Sequence, residues 1–350
     1  SDRIIYSKGF GKTSSSGEDF HGHGTHVAGI ATSSDTNYPG VAPGADIIAL
    51  DVFQGDNASY VEDALSWCIQ NLDTYEIDVI NMSLGNPFIF FQTNSSVYFN
   101  DIFEYHDEVA TLTDLGVNIV AASGNNYGLD YDFEGENGAF IVTGKGYDDY
   151  FYTIENSQQG ISGPAAFPEI ISVGSTEFSD GNISRFSQRD DDILDVNAPG
   201  GGITSAAIGG GIVTQSGTSM ASPYMAGTVL LMQQVAEEEL GRKLTTSEVR
   251  QIINENSTTI LDNQYETNNN GQTVTPSQEN YNYVNVENYL KAISEMKDPL
   301  FHYVDLSENN FNNLNFGISD FTKQSFTNES EQIFIQQSDI ETNAAGGNDY

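Results

Sequence analysis

The sequence predicts an α/β fold built on a mostly parallel sheet, and three observations point to it. Between Ala45 and Val173, short apolar runs of β type alternate with amphipathic stretches of helix type. Those runs are near-continuously apolar rather than alternating, which marks strands covered on both faces. The chain has 350 residues, 38% of them hydrophobic, enough to bury a sizeable core.

Asp46–Val52 (DIIALDV) reads as a buried strand, and Val61–Leu72 (VEDALSWCIQNL) as an amphipathic helix. A second strand follows at Asp78–Leu84, then a helical stretch around Phe103–Leu115, a strand at Asn118–Ala122 and another at Ile170–Val173. Gly200–Gly202 and Gly209–Gly211 are loop signals on either side of a short segment. A long apolar helix spans Thr218–Leu240, with Pro223 expected in its first turn, where proline is tolerated. Thr245-x-x-Glu248 is a capping box ahead of a second helix, and a third is expected over Val286–Glu295. The polar stretch Asn263–Gln278 reads as a loop. Residues 299–350 turn Asn- and Phe-rich without helical period, which suggests a β-rich extension or the start of a second module after a domain at 1–298.

The charge balance excludes some functions. Twelve Lys and Arg against 50 Asp and Glu give a net charge of −38. Phosphate contacts need clustered cations, so nucleic acid and anionic membranes are not expected partners. No apolar run approaches the 18 or so residues of a membrane helix. The single Cys68 excludes an intramolecular disulfide. An acidic surface suits salt-rich settings or calcium. The opening SDRIIYSKGF has neither Met nor a signal-peptide pattern and reads as processed or as starting within a longer chain.

Three stretches carry chemistry. Ser216–Pro223 (SGTSMASP) delivers Ser219 to a helix start, where free N–H groups and the positive dipole end favour a developing anion. Val120–Asn125 (VAASGN) places Asn125 just past a strand's C-terminal end, where sites form in open α/β sheets. Its amide can serve as an oxyanion donor. His21–Gly29 (HGHGTHVAG) sets His23 at the start of a helical run, able to take a serine proton. Each has a plainer reading: Ser219 as a helix N-cap, the glycine-framed histidines as a turn. The His21-x-His23-x-x-His26 spacing admits zinc in principle, but no Cys lies nearby and the HExxH pattern is absent. An α/β-hydrolase elbow is excluded, since the context is G-T-S-M-A and the His precedes the Ser.

Taken together, HGTHVAG at His23–Gly29, GTSMASP at Gly217–Pro223 and ASGN at Ala122–Asn125 resemble the subtilisin-like serine proteases. NMSLG at Asn81–Gly85 and GVAPGA at Gly40–Ala45 match further landmarks of that family, and the resemblance runs over about residues 15–260. It implies a three-layer fold and a secreted or cell-surface endopeptidase that acts as a monomer on protein or peptide substrates. It also implies Ser219 as nucleophile, His23 as general acid and base, and Asn125 as oxyanion donor. Ser83, Leu84 and Gly85, with Ala122, Ser123 and Gly124, would form the two edges that pair with an extended substrate and wall its P1 pocket. Neither edge carries a charge, which favours an apolar or aromatic P1 side chain. No cofactor is expected for catalysis. Structural calcium is common in the family, and Asp130, Asp132, Glu134 and Asp148–Asp149, in a long acidic and aromatic insertion after Asn125, are candidates without EF-hand spacing.

One expected landmark has no match. The family's Asp closes an apolar strand in a D-[ST]-G motif upstream of the His, yet only Asp2 and Asp19 precede His23, and neither has that setting. The expectation is that this strand lies upstream of Ser1, that the sheet shows a strand-wide gap or exposed edge beside His23, and that the 350 residues by themselves are inactive. The alternative is a protein that lost the Asp and binds peptides without cutting them. The intact His, Asn and Ser motifs favour the first reading.

Overall fold

The computed structural model describes residues 3–10, 17–52, 59–85, 89–91, 103–127, 140–142, 159–267, 271 and 273–296. In chain order the elements are β1 (Ile4–Gly9), α1 (His23–Thr32), β2 (Ile47–Asp51), α2 (Ser59–Tyr75), β3 (Val79–Met82), β4 (Ile89–Phe91), α3 (His106–Asp114) and β5 (Asn118–Ala122). There follow β6 (Phe140–Val142), β7 (Ile161–Ser162), β8 (Ile170–Glu177), β9 (Val196–Gly201), β10 (Ile203–Ala206), β11 (Ile212–Gln215) and α4 (Thr218–Leu240). The described chain ends with α5 (Thr246–Asn256), β12 (Thr258–Leu261), β13 (Glu266–Thr267), β14 (Thr273–Val274), β15 (Asn280–Tyr283) and α6 (Val286–Met296).

The central sheet runs β12-β15-β9-β8-β5-β3, parallel throughout except at the β12–β15 edge. Alternation along its strands divides the core into two faces. Ile119 and Ile170 face a cluster with Leu65, Cys68, Val109, Leu112 and Phe167 from the α2 and α3 side. Val120, Ile171 and Val173 face the other way, onto Met225, Val229 and Met232 of α4 and Tyr289 of α6. Helix, sheet and helix make three layers, as the apolar strand pattern leads one to expect.

β1 and β2 form a separate two-stranded parallel sheet. The second edge of β2 and that of β3 carry no strand partner among the described residues. The side chains of β2 are all only half-buried, as are three of the four in β3, whereas every residue of β5 is buried. Parallel strands of this composition normally sit inside a sheet.

Several boundaries shift. α2 extends beyond the expected Val61–Leu72 at both ends, and β8 runs on to Glu177. The stretch 263–278, expected as loop, contains the two-residue strands of a β13–β14 hairpin. The capping box at Thr245 is present in both directions. Pro223 corrects an expectation: it lies in the second turn of α4 rather than the first, and it is buried there. Part of the insertion after Asn125 forms β6 beside β4. The calcium candidates Asp130, Asp132, Glu134 and Asp148–Asp149 lie outside the described residues, as do Asp2 and residues 299–350. Among the described residues no helix is long and apolar enough to cross a membrane.

A buried ion pair closes the fold behind Asn125. Arg189, 2% exposed, bonds Asp262 at 2.7 Å and donates to the carbonyls of Ser187 and Ser184. Tyr127 lays its ring 3.8 Å from the guanidinium carbon. Removing one member of such a pair strands the other charge without water. Arg189→Met is therefore expected to lower unfolding free energy by about 3–5 kcal/mol, read from urea titration. A loss below about 1 kcal/mol, the size of an exposed pair, would show that Asp262 is not held by this contact.

Candidate active site

A cavity of about 530 Å³ opens where the C-terminal ends of β3 and β5 meet the starts of α1 and α4. Every expected site residue except Ser123 lines it: His23, Ser219, Asn125, Ser83, Leu84, Gly85, Ala122 and Gly124. Ser123 is fully buried, and its hydroxyl donates to the Gln188 carbonyl at 2.9 Å. Its main chain is engaged within the fold as well, the N–H donating to the Val173 carbonyl and the carbonyl accepting from Ser162 N–H, each at 2.9 Å.

Ser219 is the second residue of α4, so its N–H belongs to the first turn, which has no intrahelical acceptor. No acceptor for it occurs among the described residues. The hydroxyl is only loosely held, 3.5 Å from the Ser83 carbonyl. Asn125 is oriented from its oxygen side. Its Oδ1 accepts from Thr218 N–H at 2.8 Å and Thr218 Oγ1 at 2.9 Å, which leaves Nδ2 without a protein acceptor among the described residues. Thr218 Oγ1 in turn accepts from Gly124 N–H at 3.2 Å. Gly124 has φ +109°, a region closed to most side chains, and a Cβ there would come 3.0 Å from Gln188 and Ser162. The turn that presents Asn125 therefore requires glycine.

His23 opens α1 directly after Gly22. Burial lowers its pKa from the ordinary 6.5, the Asp19 charge pulls it back up, and His26 lowers it further, with a net shift downward. The ring is thus held in its neutral, proton-accepting form at neutral pH. An NMR titration of the His23 ring should give a midpoint below 6.5, and Asp19→Asn should move it lower still, because an attraction for the protonated ring is lost. A midpoint above 6.5, or an upward shift in that variant, would refute the assignment.

Asp19 itself is a helix-start carboxylate. Oδ1 accepts from His21 and Gly22 N–H, and Oδ2 from Thr25 N–H and Oγ1, all within 2.9 Å. Burial alone would raise its pKa, but these bonds from Thr25, Gly22 and His21 outweigh it and hold the carboxyl below its ordinary value. The zinc spacing does not assemble either: His21 and His23 face the cavity, while His26 is buried against the β10–β11 hairpin with Nε2 3.0 Å from the Val213 carbonyl. Among the described residues no group of three or more His, Cys, Asp or Glu is placed to hold a metal.

Three lining residues were not singled out from the sequence, Asn126, Ser162 and Thr218, and a fourth, His21, only for the zinc spacing. Ser162 is the informative one. It sits between the two edges, its Oγ 2.9 Å from where a Cβ on Gly85 would stand and its Cβ 3.0 Å from where one on Gly124 would. No local pattern marks it; only the β7 contact with the end of β5 brings it there. The neighbours of Ser219 and Asn125 do offer a signal for Thr218, which lies within the GTS motif itself.

The subtilase family profile matches residues 1–283. An intracellular serine protease of Paenibacillus polymyxa is 31% identical over 237 residues, 66% of this chain and 60% of that protein. The major intracellular serine protease of Bacillus subtilis is 32% identical over 236 residues, 66% and 61% of the two. Subtilisin E of Bacillus subtilis is 32% identical over 220 residues, 61% and 46%. The chain thus spans about three fifths of the length of the first two of these relatives.

Proposed function

This chain belongs to the subtilase family, and on that premise we propose that it is a serine endopeptidase acting through an acyl-enzyme on Ser219. The observation that carries the reading is the convergence of Ser219, His23 and the outward amide of Asn125 on one cavity between two small-residue edges. Ser219 Oγ attacks the scissile carbonyl while His23 takes its proton. The oxyanion that forms meets two donors, Asn125 Nδ2 and the unpaired Ser219 N–H at the helix start. His23 then returns the proton to the leaving amine, and water hydrolyses the ester by the same route in reverse.

An extended substrate pairs with Ser83–Gly85 on one side and Ala122–Gly124 on the other, so main-chain bonds supply much of the affinity. The P1 side chain points toward Ser162. Among the described residues no carboxylate, Lys or Arg lines the cavity, which suits an uncharged, apolar or aromatic P1 residue. Peptides with Leu or Phe at P1 should be cut faster than those with Lys or Glu.

Asp19, with both oxygens engaged at the α1 start, does not double as the carboxylate that orients a catalytic imidazole. The 350 residues by themselves are therefore read as a weak catalyst. In subtilisin itself, loss of the Asp alone costs about 3 × 10⁴ in kcat. The family's use of structural calcium and of secretion remain part of the reading for this protein, although the relatives' names include intracellular as well as extracellular proteases. The test is a fluorophosphonate probe on the full-length gene product, with the adduct mapped by mass spectrometry. An adduct on Ser219 is expected; a folded full-length protein that binds peptides but takes no label would be a non-catalytic peptide binder instead.

A further inference from the structure

Pro223 leaves a gap in α4 at the residue that matters most. In a regular helix the N–H of residue 223 would bond the carbonyl of Ser219, four residues back, but proline has none. The orphaned carbonyl belongs to the candidate nucleophile. It is satisfied from outside the helix, by the Ser83 hydroxyl at 2.8 Å. Ser83 Oγ accepts in turn from Asn81 Nδ2 at 3.0 Å, and Asn81 Oδ1 accepts from Ser222 Oγ at 2.7 Å. Ser222 is fully buried.

The direction of every proton in this chain follows from its end. A carbonyl only accepts, so Ser83 must donate to Ser219; its lone pair is then filled by a donor, so Asn81 must present Nδ2; that leaves Oδ1 for the Ser222 hydroxyl. The chain starts and ends on the first two turns of α4 and passes through the C-terminal end of β3. An Asn amid the apolar residues of β3 is otherwise out of place, since Asn is depleted in strands.

From these contacts we infer that Asn81 is a positioning residue: with Ser83 it clamps the proline-broken start of α4 and sets Ser219 in register with the Ser83–Gly85 edge that receives substrate. The catalytic part of this inference rests on the endopeptidase reading. The hydrogen-bond part does not.

The test is a cycle of variants in the full-length protein, with fluorophosphonate labelling resolved into a saturation constant and a maximal rate. Asn81→Asp keeps the shape but removes the donor, and Ser83→Ala removes the hydroxyl. Each should lower the maximal labelling rate about fivefold, the weight of one hydrogen bond, while the saturation constant stays within about twofold. Pro223→Ala restores an N–H facing the Ser219 carbonyl, so in that background the Ser83→Ala effect should shrink to less than about twofold. An Asn81→Asp protein that labels at the wild-type rate overturns the inference, and so does a Ser83→Ala effect of equal size in both backgrounds. A folded wild-type protein that takes no label removes the endopeptidase reading instead. The same cycle read as urea midpoints then decides the clamp: coupling between positions 83 and 223 supports it, and additivity refutes it.

Discussion

Ser219→Ala is expected to abolish fluorophosphonate labelling and to lower peptidase activity of the full-length protein by about 10⁶, the loss found when the nucleophile is removed from subtilisin, a member of the same family. Among the described residues lining the cavity no other hydroxyl is placed to replace it: Ser83 and Thr218 spend their hydroxyl protons on the Ser219 carbonyl and on Asn125 Oδ1, and Ser162 donates to the Gly163 carbonyl. The variant should fold as the parent does, because the lost hydroxyl made only a 3.5 Å contact with the Ser83 carbonyl, and substitutions without a firm partner stay within about 0.5 kcal/mol. Unchanged thermal unfolding with complete loss of labelling separates chemistry from stability. Persistent labelling in this variant would move the nucleophile elsewhere.

Asn125 carries the second large effect. Asn125→Ala should lower kcat by about 10²–10³ with KM nearly unchanged, the range known for such a donor in subtilisin, because the amide meets charge that exists only in the transition state. The structure allows a finer division. Oδ1 is already committed to Thr218, so Asn125→Asp preserves that anchor while removing the two N–H donors and adding a like charge beside the oxyanion. It should be at least as slow as Asn125→Ala, yet closer to the parent in stability, since the alanine variant also leaves Thr218 N–H without its partner at a cost of about 1 kcal/mol. Steady-state kinetics on a peptide substrate checks both variants. A rise in KM with kcat preserved would place Asn125 among the substrate-binding residues instead.

The motifs that were readable in the chain are those in which local backbone chemistry and site chemistry coincide. His23 follows a glycine at a helix start, Ser219 lies in the first turn of a helix after Gly217, and Asn125 lies just past an all-buried strand. Each of these places is encoded within a few residues, so periodicity and turn signals find them. The parallel strands β2, β3 and β5 were legible for the same reason. By contrast, β9 (VNAPGG), β12 (TTIL) and β15 (NYNY) escaped notice because none is a continuous apolar run; β15 joins the sheet through Tyr283 beside Asn197 and pairs antiparallel with β12.

Other features exist only as contacts. Ser162 lines the cavity because β7 docks against the end of β5, and nothing around it in the chain says so. Asp19 lacks the D-[ST]-G setting in the sequence, and only its four hydrogen bonds to the α1 start show what it does instead. Pro223 looked like a first-turn proline, and only the Ser83 hydroxyl on the Ser219 carbonyl shows how a second-turn proline is accommodated. The sequence by itself thus determined the fold class and the order of the strands and helices that carry the three motifs, because these depend on propensities and spacings within single elements. The tertiary structure alone decided which residues meet at the cavity, which carboxylate is occupied and how the Ser219 carbonyl is held, because each is a hydrogen bond or close approach between segments far apart in the chain.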